Sequence, residues 1–310
     1  MSVEQARRYC IDCFFGSRAN INKLFAAARV SSRTLENDVN GIGITYTNGR
    51  QALAILLRRG NEYAQPIAQA IADQFGVPVT AIVAGELQSA RPIPYVSRQR
   101  VRPAQGGVSI GHYMVTAGTL GCLVRDNEGH VYILSNNHVL ANSNNARIGD
   151  PIYQPGPYDG GNPNDTIATL WTWTFLNPNG INYVDAALAR PINIQDVSPD
   201  IFYIGKVRGV GMPTLSLHVK KSGRTTGLTR GVIVILRAYV KVNYLSLGHL
   251  TFDDQIVIQP GGFSKGGDSG SLVVDENNRA IGVLFAGSDI FSLANPINRV
   301  MQELNIASII

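Results

Sequence analysis

The stretch from Ser264 to Val274 reads SKGGDSGSLVV, a polar, glycine-dense turn that runs directly into an apolar strand. Gly266 and Gly267 permit uncommon backbone dihedrals, which can aim two N–H groups at one point. A serine hydroxyl there can attack a carbonyl if a base takes its proton and donors meet the oxyanion. The alternative is a tight turn in which Ser269 bonds only its own backbone. The stretch therefore predicts either a nucleophile or a structural turn.

The residues from Gly267 to Gly270 resemble the nucleophile turn of trypsin-like serine peptidases, whose triad has the chain order His, Asp, Ser. Upstream, His138 follows an apolar strand, and Asp185 is the single acid within an apolar run. The intervals, 185 − 138 = 47 and 269 − 185 = 84, leave room for the rest of one small barrel and most of a second. The resemblance implies that Ser269 is the nucleophile, His138 the general base and Asp185 the orienting carboxylate. It also implies an oxyanion hole built from the N–H groups of Gly267 and Ser269.

Short apolar runs broken by Gly, Asn, Asp and Pro follow one another from about residue 104 to the end. Such spacing is typical of an antiparallel sandwich or barrel. The resemblance covers about residues 104–310, and its family folds as two six-stranded antiparallel barrels with the triad in the cleft between them. We therefore expect a mainly β protein with two antiparallel six-stranded β-barrels, preceded by a small α/β domain.

The first ninety residues carry their own helix and strand signals. Those signals are helical spacing over Val3–Phe14 and Ile21–Ala28, a hairpin at Asn48-Gly49, a helix from Pro66 that ends at Gly76, and a strand at Val79–Val83. They predict a small α/β domain at 1–90 without chemistry of its own, serving either regulation or packing. Residues 91–103 combine prolines with arginines and no period, which predicts a linker before the peptidase domain at 104–310.

The composition indicates a globular protein. Of 310 residues, 45% are hydrophobic and 16% charged, and the net charge of +5 is spread out, which indicates solubility rather than nucleic-acid binding. No apolar stretch reaches the roughly 18 residues of a membrane span, and Met1–Phe14 contains charges where a signal peptide is apolar. We expect a cytoplasmic protein without membrane association.

Three cysteines do not make a disulfide framework. Cys10 and Cys13 form a C-x-x-C pair, but the sequence has no second pair to complete a zinc site. Buried thiols on one helix face are the simpler interpretation. We expect no metal site and no cofactor.

The resemblance also implies a substrate pocket next to the nucleophile. Its lining would be Phe263 and Ser264 on one side and Phe285, Ala286 and Gly287 on the other. None of these residues is charged, and an unpaired ammonium is costly to desolvate. We expect small or medium apolar residues before the scissile bond, unless Asp254 or Asp289 enters the pocket from a loop.

The sequence departs from the family pattern in two places. Phe263 stands where trypsin has the aspartate that selects Lys or Arg. In many secreted relatives a newly cut N-terminus pairs with the acid before the nucleophile, here Asp268. This chain shows no obvious activation site, so either Asp268 finds another partner or cleavage within 91–103 is needed.

These patterns predict a serine endopeptidase that works through an acyl-enzyme on a protein or peptide substrate, regulated through residues 1–90, where a regulatory protein could bind. One alternative is a catalytically silent binding module with the same barrels. Another is an esterase-type acyl hydrolase, since a triad does not choose between ester and amide. The α/β-hydrolase version would need the order Ser, Asp, His and a glycine at the position of Ser271.

Overall fold

The structure is a computed structural model that describes residues 1–15, 38–58, 64–85 and 97–310. Its α-helices in these ranges are α1 (Val3–Phe15), α2 (Ala64–Phe75), α3 (Asn137–Leu140) and α4 (Ile297–Glu303). The predicted helix at Ile21–Ala28 lies outside the described residues. Within the ranges given, no helix has both the length and the apolar character that a membrane crossing needs.

The β-strands are numbered in chain order. They are β1 Val39–Thr47, β2 Arg50–Leu57, β3 Val79–Val83, β4 Ala104–Gly106, β5 Ser109–His112, β6 Gly118–Thr119, β7 Cys122–Arg125, β8 Val131–Ser135, β9 Pro151–Tyr153, β10 Thr166–Trp173, β11 Ile181–Asn182, β12 Ala187–Pro191, β13 Val197–Ile201, β14 Gly205–Lys206, β15 His218–Gly223, β16 Gly227–Tyr244, β17 Gly248–Gln259, β18 Leu272–Asp275, β19 Ala280–Gly287, β20 Ser292–Pro296 and β21 Ser308–Ile309. The fold is mainly β, as predicted.

The front elements form where the sequence predicts them. Asn48 and Gly49 connect β1 to β2 with φ values of 52° and 75°, the left-handed region that a two-residue hairpin turn requires. Helix α2 is followed by Gly76 at φ 63°, and the chain then enters β3, which lies parallel to β2. Helices α1 and α2 pack their apolar sides on β1 and β2, with Cys10 and Cys13 as free thiols in that core.

In the described part of the chain, strand pairing gives three sheets. A ten-stranded sheet has the order β11-β17-β20-β19-β18-β15-β16-β1-β2-β3, an eight-stranded sheet the order β21-β7-β8-β12-β10-β9-β5-β6, and a three-stranded sheet the order β14-β13-β4. Strands β16 and β17 also pair with each other. β1 runs antiparallel to β16, with Gly41 opposite Val240 and Ile42 opposite Tyr239. The front strands therefore continue the sheet that carries the nucleophile turn.

An apolar cluster joins the front strands to the later part of that sheet. Ala54, Leu56 and Ala84 share it with Phe285 and Phe291, all of them almost fully buried. Burial of this kind stabilises by about 25 cal/mol per Å² of apolar surface. The front strands are thus attached to the rest of the protein by packing as well as by hydrogen bonds.

The described end of the predicted linker, residues 97–103, is hydrogen-bonded to the first residue of β5 and to Gln154, the residue after β9. The Ser97 carbonyl accepts from the Ser109 N–H at 2.8 Å. The Val101 N–H donates to Gln154 Oε1, and Gln154 Nε2 donates to the Gln99 carbonyl, both at 2.9 Å. This part of the segment is held by specific hydrogen bonds.

Candidate active site

His138 lies in the one-turn helix α3, which follows shortly after β8. The two residues before it, Asn136 and Asn137, are buried. Its Nδ1 is 2.5 Å from Asp185 Oδ2, and its backbone N–H donates to Asp185 Oδ1 at 3.3 Å. The imidazole is 15% exposed, whereas the Asp185 carboxylate is fully buried. A carboxylate at Nδ1 favours the proton on that nitrogen, so Nε2 is the nitrogen that can accept one.

Asp185 is fixed from several sides. Its N–H donates to Asn295 Oδ1 at 3.0 Å, and its carbonyl accepts from Asn136 Nδ2 at 2.6 Å. Its Oδ2 also accepts from the Tyr244 hydroxyl at 2.5 Å. Asn295 in turn donates to Gln255 Oε1 at 2.6 Å. Each of these partners is buried, and hydrogen bonds from several directions restrict the movement of Asp185.

Ser269 lies in a turn whose flanking glycines both have left-handed dihedrals, φ 93° at Gly267 and 95° at Gly270. A Cβ at Gly267 would collide with Arg224 Nη1 and Thr225 Oγ1. This position therefore requires glycine both for its positive φ and for lack of space. Ser269 is 5% exposed, and its hydroxyl donates to the Phe285 carbonyl at 3.4 Å. The side chain is therefore held at the β19 side of the turn.

The nucleophile turn and the turn that carries His138 meet at strand β6. The Thr119 N–H donates to the Ser269 carbonyl at 2.8 Å. A Cβ at Gly118 would collide with the Val139 side chain, which follows His138, and would lie 3.0 Å from the Ser269 carbonyl. Only a glycine lets the two turns approach β6 this closely.

Asp268 has a partner within the chain. Lys221 Nζ lies 3.3 Å from Asp268 Oδ2, and both side chains are fully buried. The carboxylate also accepts from the N–H groups of Thr225, Thr226 and Lys265 at 2.8, 3.1 and 2.9 Å. Burial lowers the pKa of Lys221, while the charge of Asp268 acts in the opposite direction. Asp268 therefore pairs with a residue of the intact chain, Lys221, and this ion pair forms without a new N-terminus.

The peptide between Gly266 and Gly267 has a defined orientation. The Thr225 hydroxyl donates to the Gly266 carbonyl at 2.5 Å, and the peptide is trans. In a trans peptide the C=O and N–H point in opposite directions, so the Gly267 N–H points away from Thr225. Within the described residues, neither this N–H nor that of Ser269 donates to a protein acceptor. Two donors are thus left available at the turn.

Behind Thr225 lies a buried ion pair. Arg224 Nε and Nη2 donate to the two oxygens of Asp159 at 2.6 and 2.5 Å, a bidentate arrangement. Arg224 Nη1 also donates to Thr225 Oγ1 at 3.2 Å. The guanidinium is fully buried, with its carbon 5.4 Å from the Tyr158 ring centroid. Thr225 is therefore backed by a rigid group.

The residues expected to line the pocket are all buried: Phe263, Ser264, Phe285, Ala286 and Gly287. Ser264 Oγ lies 2.6 Å from Ser292 Oγ, and a Cβ at Gly287 would be 3.2 Å from Ser264 Oγ. These three residues meet at an uncharged, hydroxyl-bearing point.

Asp254 and Asp289 are the two acids that the sequence offers to the pocket from loops. Asp254 accepts from Arg299 Nε at 3.1 Å, so its charge is paired. Asp289 lines a cavity of about 500 Å³ together with Gly261 and Ile290.

Sequence reasoning missed Lys221, Tyr244 and Thr225. A lysine at an inward position of the strand formed by His218–Gly223 was a usable signal for Lys221, because buried ammonium groups need an anionic partner. Tyr244 and Thr225 have no such signal, since their roles depend on partners 59 and 41 residues away in the chain.

A group with three possible metal ligands in the described residues is Asp126, Glu128 and His130. His130 Nδ1 lies 3.1 Å from Asp126 Oδ2, and Glu128 is 79% exposed. The group is an exposed turn whose members already bind each other.

No family model and no curated protein matches the chain. Similar solved structures include Nocardiopsis protease (NAPase), which is 17% identical with a TM-score of 0.49, the match covering 66% of this chain and 97% of that chain. Thermobifida fusca Protease A is 18% identical with a TM-score of 0.48 and the same coverage. A glutamic acid-specific serine protease is 18% identical with a TM-score of 0.49, covering 67% of this chain and all of that chain. The first two are named as proteases and the third as a serine protease, the class that the motifs resemble.

Proposed function

We propose that this protein is a serine endopeptidase that hydrolyses peptide bonds through Ser269, His138 and Asp185. The observation that carries the proposal is the 2.5 Å contact between His138 Nδ1 and the buried Asp185, which leaves Nε2 to act as a base. The contacts at strand β6 support a shared site, since the Thr119 N–H donates to the Ser269 carbonyl and Gly118 lies against Val139, the residue after His138.

In the proposed mechanism, the Ser269 hydroxyl leaves the Phe285 carbonyl and attacks the substrate carbonyl as His138 Nε2 takes its proton. Asp185 stabilises the imidazolium, and the N–H groups of Gly267 and Ser269 donate to the oxyanion. The imidazolium then protonates the departing amine, which leaves an acyl-enzyme at Ser269. Water, deprotonated by His138, hydrolyses this ester and restores the hydroxyl.

The architecture that we propose comprises two six-stranded antiparallel barrels at 104–310, a linker at 91–103 and a small α/β domain at 1–90. The pairing order β16-β17-β20-β19-β18-β15, with β15 paired to β16 again, supports one six-stranded circle. The other barrel would consist of six consecutive strands of the eight-stranded sheet, in the order β7-β8-β12-β10-β9-β5.

We propose that the substrate pocket lies beside Ser264, Ser292 and Gly287 and takes small or medium apolar residues before the scissile bond. The absence of charge at this point of contact supports it, because an unpaired cationic side chain would be costly to bury there. The substrate is a protein or a peptide, paired with β19.

Regulation through residues 1–90 is supported by contacts next to that strand. Ser288 Oγ donates to the Ala84 carbonyl at 2.7 Å, and Asn40 Nδ2 donates to the Gly85 carbonyl at 2.6 Å. Phe285 and Ala286 share an apolar cluster with front residues. A shift of the front region would therefore uncover or move the end of β19.

A fluorophosphonate probe and a peptide library, applied to the wild type and to Ser269→Ala, test the function. We expect probe labelling at Ser269, located by mass spectrometry, and a loss in kcat of about 10³-fold or more for Ser269→Ala and for His138→Ala, with a smaller loss for Asp185→Asn. Ser198→Ala is the matched control, because its hydroxyl lies in β13 and accepts from the nearby Asp200 N–H at 3.3 Å.

Near wild-type turnover in Ser269→Ala would contradict the mechanism. Labelling without peptide cleavage would instead indicate an esterase-type acyl hydrolase. A catalytically silent module is the second candidate, favoured by the hydrogen bond that occupies the Ser269 hydroxyl at Phe285, and it predicts no labelling at all.

A further inference from the structure

Tyr244, at the end of β16, reaches the same carboxylate oxygen as the imidazole. Its hydroxyl donates to Asp185 Oδ2 at 2.5 Å, the distance at which His138 Nδ1 lies from that oxygen. Tyr244 is 2% exposed. Its ring meets the imidazole edge-on, with centroids 5.8 Å apart and an interplanar angle of 80°. Tyr244 therefore touches both members of the His–Asp pair.

Packing leaves the Tyr244 ring little freedom. The ring stacks on Phe252 with centroids 6.0 Å apart and an interplanar angle of 19°. Phe252 in turn contacts Phe285, whose carbonyl accepts from the Ser269 hydroxyl, at a centroid distance of 4.8 Å. A phenol clamped in this way presents its hydroxyl in one direction, so little entropy is lost when the hydrogen bond forms.

The hydroxyl is a permanent donor. Burial, the negative charge of Asp185 and the hydrogen bond to it raise the pKa of Tyr244 well above its ordinary value, so the phenol keeps its proton at any working pH. Donors to a carboxylate stabilise its charged form and restrict its rotation. Among described residues, the other partners of the Asp185 carboxylate are the backbone N–H of His138, which donates to Oδ1, and the titratable imidazole of His138 at Oδ2. The amides of Asn136 and Asn295 bind the Asp185 backbone instead.

We propose that Tyr244 is a positioning residue, which fixes the Asp185 carboxylate in the one rotation that places Oδ2 at His138 Nδ1. This inference rests on the proposed function. Tyr244 touches neither the substrate nor the reacting atoms and acts through Asp185. Without it, the carboxylate could turn away from the imidazole, which would weaken the contact between Oδ2 and Nδ1.

Strand β16, which carries Tyr244, is also paired with the front strand β1. β16 pairs with β1 at Ile42 opposite Tyr239 and at Gly41 opposite Val240, four residues before Tyr244. A Cβ at Gly41 would lie 2.8 Å from the Tyr239 carbonyl, so the two strands approach each other closely there. The position of Tyr244 therefore depends on the front strands as well as on β17.

Tyr244→Phe tests the proposal in the full chain, because it removes only the hydroxyl. We expect kcat/KM to fall about tenfold, mainly through kcat, the loss of one hydrogen bond to a charged group. We also expect the acid limb of the kcat/KM profile to move to lower pH by about 0.5 to 1 unit, because a carboxylate that has turned away from Nδ1 stabilises the imidazolium less. The resonance of the proton on His138 Nδ1 should shift as well.

Tyr239→Phe is the matched control, since Tyr239 is buried on the same strand and its hydroxyl has no hydrogen-bond partner within the described residues. It should leave the activity, the pH profile and the proton resonance unchanged. An unaltered acid limb and resonance in Tyr244→Phe, or equal changes in Tyr239→Phe, would overturn the proposal. Failure of the proposed function is distinguishable, because an inactive wild type still reports Asp185 geometry through the His138 resonance.

Discussion

Thr225 illustrates how one hydroxyl can set the direction of a backbone N–H, here the Gly267 N–H that we propose as an oxyanion donor. Its Oγ1 holds the Gly266 carbonyl at 2.5 Å on one side of the nucleophile turn, and the trans peptide carries the Gly267 N–H to the other side. If that carbonyl were released, the peptide could rotate and present an oxygen where the oxyanion needs a donor. Glycine at both positions makes such a rotation easy.

We expect Thr225→Val, which keeps the shape and removes the hydroxyl, to lower kcat by about ten- to a hundredfold, with KM nearly unchanged, because removing one oxyanion donor costs about 10²–10³-fold. Thr225→Ser should restore most of the rate. Steady-state kinetics on one peptide would measure both. Wild-type kcat in the valine variant would show that the peptide holds its orientation without Thr225.

Residues of the site differ in how far the sequence predicts them. His138 and Asp185 follow from the order His, Asp, Ser that the family resemblance implies, and from the position of Asp185 as the single acid in an apolar run. The structure brings the two side chains into contact. Lys221 has a signal in its inward strand position, but the sequence does not show that its partner is Asp268. Tyr244 does not follow, because it acts on a residue distant in sequence and a buried Tyr in a strand has no spacing rule. Physical contact between strands decides their roles.

The hairpin between β18 and β19 connects the nucleophile turn to the proposed substrate strand, and Asp275 closes it. Asp275 Oδ1 accepts from the N–H groups of Asn277 and Arg279 at 2.9 and 2.8 Å. Its Oδ2 accepts from Arg279 Nε at 2.7 Å. Burial alone would raise the pKa of Asp275, but the hydrogen bonds and charge of Arg279, with the Asn277 N–H, lower it overall.

Because folding lowers the pKa of Asp275, its carboxylate stabilises the fold at pH values above 3.8, the ordinary pKa of an aspartate. This contribution is lost as the pH falls through the lower pKa of the folded protein. We expect Asp275→Asn to reduce the free energy of unfolding at pH 7 by about 1–3 kcal/mol. The variant should also lose part of the decline in stability below about pH 4. Urea unfolding across this range checks it, with the exposed neighbour Glu276→Gln as control. Parallel pH curves for Asp275→Asn and wild type would contradict the assignment.

Local elements are predictable where a turn has its own chemistry. The Asn48-Gly49 hairpin and the helix end at Gly76 both rest on residues that accept positive φ, and both form as expected. The pairing of β1 with β16 is different, because it joins strands far apart in the chain and leaves no local pattern. Sheet neighbours of this kind are chosen by packing of the whole protein.

At the scale of the whole molecule, a line of buried polar contacts leads from the front helix to the carboxylate at the site. Arg7 on α1 pairs with Asp253, whose carbonyl accepts from Gln255 Nε2 at 2.5 Å. Gln255 Oε1 accepts from Asn295, and Asn295 Oδ1 accepts from the Asp185 N–H. Continuity of this kind suggests coupling, which only a perturbation can demonstrate.

Arg7→Gln interrupts this line at its outer end, and Arg8→Gln is its control, since Arg8 is 72% exposed and also pairs with Glu4. We expect Arg7→Gln to destabilise the protein by about 1–3 kcal/mol, because the partly buried carboxylate of Asp253 would lose its positively charged partner. If the front region regulates the site, kcat/KM should change in parallel. Thermal unfolding and peptide kinetics measure the two effects. Unchanged values in both would remove Arg7 from any regulatory connection.

The pairing of β1 with β16 has a consequence for the solubility of shortened forms. β16 carries β15 along its first half and β1 along its second, so a protein that lost its front strands would expose a row of unpaired N–H and C=O groups around Leu236–Val240. A bare strand edge of this kind recruits strands from other molecules. The front strands therefore cover this edge, and a shortened form without them would need a charged residue or a proline along it to stay monomeric.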